Sequence, residues 1–238
     1  CTLRGHGGSP PEPLEMATRG AEKETLDNAP PQPIAYLAPN GRVIPEPAAL
    51  KAFNDRMKHR GTNMCSPLLG ALGDLQPDAG TALVVLSSTA SWTPSAEAWN
   101  ALEAWLELGV PVLIETTGGQ GDFGDGFAKA ATQRYGAPPQ PIRDLEALIG
   151  LTEPGGLDFD KVAWTAAALQ RFGRATHEHA LERVGTGHEG PLILARFDIM
   201  HALLERPASG VLGWRTPWAD AFLIALLRQK AEQSDSGS

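Results

Sequence analysis

Carboxylates, hydroxyls and glycines crowd into one segment, Glu115-Thr116-Thr117-Gly118-Gly119-Gln120-Gly121-Asp122, directly after the apolar run Val110–Ile114. Backbone N–H groups in a turn from strand to helix can cradle an anion, and the dipole of the following helix assists. The same glycines suit any tight loop that needs a positive φ, which is the commoner use. Gly118-Gly119-Gln120-Gly121 is no phosphate loop, because no Lys-Ser or Lys-Thr pair follows it. Glu115, Asp122 and Asp125 could hold a divalent cation. Acids at a helix start more often cap it, and their spacing is not that of a calcium loop.

Other groups have chemical potential. Ser87, Ser88, Thr89 and Ser91 follow the run Ala82–Leu86, where hydroxyls could touch a ligand or satisfy the loop's own backbone. None lies in a G-x-S-x-G elbow. His177, His179, His188 and His201 fall within 25 residues. On a strand His177 and His179 would share a face, but two ligands make no metal site. Trp92 and Trp214 sit in expected loops and are the better candidates for an exposed ligand or partner surface, whereas Trp99 and Trp105 belong on the core face of a helix. The residues call for no metal and no cofactor.

These groups need a scaffold. Ile34–Ala38 reads as a strand closed by Pro39-Asn40-Gly41, and Pro47 opens a helix to about His59 with Ala49, Leu50, Phe53 and Met57 on its apolar face. Arg56, Lys58, His59 and Arg60 then suit the last turn of that helix. Thr62–Pro67 is a second strand, and Leu68–Asp74 a turn or short helix. Ala82–Leu86 lacks alternation, as expected of a strand buried on both faces of a parallel sheet. Thr93 and Pro94 would start the helix that runs to about Leu108. Val110–Ile114 is the next strand, Thr116–Gly126 a loop and Phe127–Tyr135 a helix. Arg143–Ile149 and Lys161–Phe172 look helical, Thr176–Gly190 irregular, Leu192–Phe197 a strand and Pro217–Lys230 a final helix. Strands alternating with helices imply an α/β fold of three layers, a mainly parallel sheet flanked by helices in flavodoxin-like fashion. Ligands bind such sheets outside the carboxyl ends of their strands. The site is therefore expected at Ser87–Trp92, Glu115–Gly126 and Asp198–His201.

Composition limits the alternatives. The chain of 238 residues carries a formal charge of −8 at pH 7, and no basic cluster offers the footprint that nucleic acid requires. No apolar run reaches the length of a membrane span. Residues 1–32 are rich in Gly, Pro and charge and read as a disordered leader, 33–231 as one domain, and 232–238 as a disordered tail. Cys1 followed by such a leader suggests a lipidated terminus on a bacterial envelope or periplasmic protein. The alternative is a fragment boundary in a cytoplasmic one. Cys65 reads as a small buried apolar residue.

Three stretches together carry a resemblance: GDLQPDAGTALVVLSSTASWTPSAEAWNALEAWLELGVPVLIETTGGQGDF (Gly73–Phe123), PLILARFDI (Pro191–Ile199) and GVLGWRTPWADAFLIALLR (Gly210–Arg228). They resemble a bacterial domain family of unknown function whose fold is similar to that of class I glutamine amidotransferases, over about Pro33 to Arg228. In the amidotransferases a nucleophilic cysteine sits on a tight elbow after a strand. Here Pro111-Val112-Leu113-Ile114-Glu115-Thr116-Thr117-Gly118-Gly119-Gln120 matches the scaffold, but Thr116 stands at the cysteine's place. The family's downstream His-x-Glu pair is also missing, since His177-Glu178-His179 precedes the last strand. A Thr hydroxyl is a poor nucleophile without an oriented base.

The resemblance with its nucleophile replaced implies a non-catalytic module that binds a small molecule or a protein through Ser88, Thr89, Trp92, Thr116, Thr117, Gly118, Gly119 and Gln120. The alternative is a hydrolase or transferase using Thr116 with His177, His179 or another histidine of 177–201. That enzyme requires Thr116 or a Ser beside an imidazole nitrogen, whereas a binding module leaves the corner filled. A third reading, an assembly subunit, expects an exposed apolar patch around Trp92, Trp214 and Trp218.

Overall fold

The structure is a computed structural model that describes residues 31–39, 47–58, 65–142, 162–173, 181–185, 187–204 and 210–235. Cys1, His177, His179, the expected leader up to residue 30 and the expected helix Arg143–Ile149 lie outside the described residues.

Short apolar runs become strands and amphipathic runs become helices, in the order β1 (Gln32–Ala38), α1 (Pro47–Lys58), β2 (Cys65–Ala71), β3 (Leu83–Ser88), α2 (Ala96–Glu107), β4 (Val112–Thr116), α3 (Phe123–Tyr135), β5 (Gln140–Pro141), α4 (Ala166–Phe172), β6 (Glu182–Val184), β7 (Leu192–Ala195) and α5 (Thr216–Asp235). One-turn 3-10 segments lie at Thr117–Gly119 and Met200–Leu204. The described strands form one seven-stranded sheet in the order β2-β1-β3-β4-β7-β6-β5. The first five strands of that order are parallel, and β6 and β5 add an antiparallel edge.

Because successive strand residues face opposite ways, each central strand feeds two cores. Ile34, Tyr36, Leu83, Val85, Leu113 and Ile193 pack with α1, α5 and the 3-10 turn Met200–Leu204. Ala35, Leu37, Val84, Leu86, Val112, Ile114 and Leu194 pack with α2 and α3 on the other side. The expected three layers, helices on both faces of a mainly parallel sheet, are therefore present.

Several boundaries differ from the sequence reading for local reasons. Strand β2 runs through Pro67 to Ala71 instead of turning at Leu68. Among the described strands it pairs only with β1, and an outer strand tolerates a residue that lacks an N–H. Ser95, not Thr93, caps α2, since its hydroxyl accepts from Ala98 N at 3.3 Å. Helix α4 starts at Ala166 rather than Lys161, because Trp164 is drawn into a bridge with Trp214 and Thr165 caps the helix. Within the stretch read as irregular, Glu182–Val184 is a strand antiparallel to β7. Helix α5 continues to Asp235, past the expected end at Lys230 and into the stretch read as a disordered tail.

The α1–α5 contact includes a buried ion pair. Arg56 Nε donates to Asp220 Oδ2 at 2.9 Å and its Nη2 to Oδ1 at 2.5 Å, while Nη1 donates to Leu203 O at 2.6 Å. Both side chains are largely buried. Removing one partner takes from the other a bidentate, largely buried counter-charge. Asp220→Ala should therefore lower the unfolding free energy by about 3 kcal/mol, read from urea denaturation, without moving the strand-end loops in an amide NMR spectrum.

Candidate functional site

Strands β3, β4 and β7 deliver the polar residues of the chain's centre to one edge of the sheet. Glu115 is the penultimate residue of β4 and is fully buried. Its register partner on β3 is Ser87, and Thr116 pairs with Ser88. Alternation sends Glu115 toward the α1/α5 layer with Leu113, and Thr116 toward the α2/α3 layer with Ile114. Two chemically different clusters result, one on each side of the same strand.

On the Glu115 side, Oε2 accepts from the backbone N–H groups of Ile199 at 3.0 Å and Met200 at 3.1 Å, and Oε1 lies 3.4 Å from the Tyr36 hydroxyl. Asp198, also fully buried, sits beside it. One oxygen of Asp198 accepts from His201 N at 2.6 Å, which caps the Met200–Leu204 turn. The other accepts from Gly118 N, across the gap to β4, and lies 2.7 Å from His201 Nδ1. Asp198 also fixes the neighbouring chain, since its N–H donates to Leu212 O and its carbonyl accepts from Trp214 N. Ser87 Oγ and Thr117 Oγ1 are 2.6 Å apart at the rim.

Burial pushes the Glu115 carboxyl up to about 8. The Asp198 carboxylate adds to that rise, while the two N–H donors and His201 work against it. Burial likewise holds the Tyr36 phenol well above its ordinary value, reinforced by Glu115 and Asp198 and opposed by a hydrogen bond with Ser87. A desolvated acid next to a second acid keeps its proton.

On the other side, Thr116 Oγ1 accepts from Gly124 N at 3.0 Å. It is Thr116 that satisfies the first turn of α3, and Phe123 and Phe127 are both buried beneath that turn. This moves the helix start from the expected Phe127 to Phe123. Asp122 occupies the N-cap position without a side-chain cap bond, and Asp125 turns to an ion pair with Arg196, whose other partner is Glu182. Glu115, Asp122 and Asp125 therefore do not converge. No group of three metal-ligating side chains occurs among the described residues.

The expected loops do meet. Asp122 N donates to Thr89 O at 3.1 Å, and Leu212 N donates to Gly118 O at 2.9 Å. Gly118 and Gly119 have φ of 67° and 64°. Gly119 also abuts the Leu212 carbonyl, so closely that a Cβ there would overlap it. The glycines of this turn thus serve close backbone approach. Of the expected ligand-binding set, Thr89 and Gln120 are exposed, Ser88, Thr117, Gly118 and Gly119 are partly exposed, and Trp92 and Thr116 are buried.

The tryptophan expectation is corrected. Trp92 stacks on Phe123 and Phe127 inside the α2/α3 core. Trp214 packs edge-on against Trp164 and Phe222, and Trp218 is buried beside them. These three indoles form no exposed patch, so the assembly reading loses the surface it required. Cys65 is buried as expected, its thiol pushed up to about 12 by burial despite a hydrogen bond to Asn54. Sequence reasoning marked Asp198–His201 as a place to look and Glu115 only as a loop carboxylate, and it missed Tyr36. The available signal was an acid at or just beyond the end of each of two apolar runs, in VLIE and in LILARFD.

Two predictions follow from this geometry. Gly118→Ala should cost about 1 kcal/mol through left-handed strain alone, because open space surrounds that position. Gly119→Ala should cost about 3 kcal/mol or more, since backbone overlap adds to the same strain; equal losses in denaturation would contradict the close approach. The second concerns pH. The folded chain holds the Glu115 proton to about 8, against an ordinary value of 4.5, so between these values the folded state binds a proton that the unfolded state has released. Stability from this group is full below the unfolded value and is lost as pH rises through the folded one. The urea midpoint should fall across that window, and Glu115→Gln should flatten the fall.

No known protein family and no curated protein matches this chain at a significant level.

Proposed function

We propose that the chain is a non-catalytic module that binds a small molecule or a protein, built on a flavodoxin-like scaffold of the kind class I glutamine amidotransferases use. The order of the parallel strands, β2-β1-β3-β4-β7, supports the flavodoxin-like reading, because it corresponds to the doubly wound order 2-1-3-4-5. Ligands of such sheets enter where the order reverses, here between β1 and β3. On this reading the entry lies beside Ser88 and Thr89, with Thr117–Gln120 as its neighbouring wall.

The observation that carries the reading is the state of Thr116. A nucleophile on a strand-to-helix elbow is held on a sharp, strained turn with its side chain exposed. Thr116 has extended φ and ψ of −87° and 113°, is buried, and has its hydroxyl occupied by Gly124 N. It faces the α2/α3 layer, whereas Asp198 and its segment belong to the opposite side of β4. The oriented imidazole of His201 beside buried Asp198 gives a hydrolase reading its best support, since an acid that holds a histidine in place is half of a general-base pair. That pair lacks Thr116 as its nucleophile.

The test combines reactivity with binding. The protein is incubated with an electrophilic glutamine analogue and with amide and ester substrates, and its intact mass and turnover are read. No adduct at Thr116 and no turnover above the Thr116→Val variant is the expected result; an adduct at Thr116 overturns the proposal. Thr116→Val should lose about 1 kcal/mol of stability, the value of one helix cap. In an NMR screen of small anions, nucleotides and peptides, amide shifts should cluster at Ser88, Thr89 and Thr117–Gln120 in both forms.

A further inference from the structure

Glu115 and Asp198 compete for one run of donors. The N–H groups of Ile199, Met200 and His201 all point at the two carboxyl groups, the first two at Glu115 Oε2 and the third at Asp198. Asp198 alone also reaches across to Gly118 N at the end of β4. The carboxyl pair is therefore what ties the Asp198–Leu204 segment to the Thr117–Gly119 turn. Among the described residues, three ionisable side chains act on Glu115. Tyr36 comes from β1, and Asp198 and His201 from the segment after β7. No lysine or arginine of the described residues is among them.

We propose that Glu115 and Asp198 hold one proton between them, and that this proton is a latch between the Asp198–Leu204 segment and the Thr117–Gly119 turn. Two carboxylates in one desolvated site do not both ionise at low cost. Glu115 Oε2 is filled by two backbone donors, so the proton resides on Oε1, 3.4 Å from the Tyr36 hydroxyl, which donates to that oxygen once Glu115 is ionised. When the proton leaves, two anions repel across the same turn. Asp198 is the member that yields, by rotation of its side chain, because Glu115 Oε2 is pinned by two N–H donors and the Asp198 backbone is itself held by Leu212 and Trp214. That rotation releases Gly118 N and His201 N together, while the backbone bonds of Asp198 and Gly118 to Leu212 stay in place.

The latch is independent of any bound ligand, and its test needs none. Carboxyl carbons labelled with carbon-13 report the Glu115 proton by NMR, and the methyl groups of Ile199 and Met200, both buried, report the segment. The expected result is a Glu115 carboxyl resonance that titrates near pH 8, with the two methyl resonances shifting at the same midpoint, and methyl shifts that disappear in Glu115→Gln. Titration of Glu115 in the ordinary carboxylate range overturns the proposal. So do methyl shifts that persist unchanged in Glu115→Gln, or methyl resonances that stay fixed while Glu115 titrates. If Glu115→Gln does not fold, the two midpoints in the unaltered chain decide the matter.

Discussion

The Asp198 carboxylate is the point through which separate parts of this chain are joined. It lies beyond the last parallel strand, fully buried, and satisfies donors from the β4 turn and from the Met200–Leu204 turn. Its own backbone is stitched to Leu212 and Trp214. A buried carboxylate is tolerated only when its lone pairs are filled, and here the donors that fill them belong to segments far apart in sequence. The unfavourable transfer of a charge from water is thus offset by the assembly of the sheet's carboxyl end. Glu115, kept neutral beside it, completes the arrangement without adding a second buried charge.

The division of labour along β4 follows from strand geometry. Adjacent residues face opposite layers. Glu115 therefore joins the polar network under the α1/α5 layer, and Thr116 serves as the cap of α3. The same alternation separates Thr116 from Asp198 and His201. A hydroxyl and an acid–histidine pair brought to the same edge of the sheet are held apart by the sheet between them. Each has a structural partner: Thr116 a helix terminus on one side, Asp198 a turn on the other.

Much of this was legible from residues alone. The runs IAYLA, ALVVL and LILA announce buried strands, and the spacing of Trp99, Leu102, Trp105 and Leu106 announces α2. The loops that meet at the strand ends follow from the alternation of strands and helices. What remained hidden depends on contacts distant in sequence. Glu182–Val184 is too short to declare itself and becomes a strand only by pairing with β7. Trp92 and Trp214 sit in loops, and local sequence gives no sign that those loops fold back over Phe123 and Phe222. Tyr36 is one apolar-run residue among five until its hydroxyl is found near a carboxyl 79 positions away. The capping role of Thr116 is similar, since it acts on a residue across a loop that reads as irregular.

Placing Glu and Thr side by side at the end of β4 has an effect on which pairings the chain can adopt. A strand this apolar, Val112-Leu113-Ile114, has little in its first three residues to distinguish one alignment against β3 from another, because both of its faces are greasy. Sliding it by one position would turn Glu115 toward Phe123 and Phe127, away from the N–H groups of Ile199 and Met200, and would leave those two donors facing a threonine too short to reach them. The penalty for a buried unpaired acid is several kcal/mol. The two polar residues thus act as an index mark on an otherwise featureless ruler, admitting one alignment and making the neighbouring misfolded ones costly.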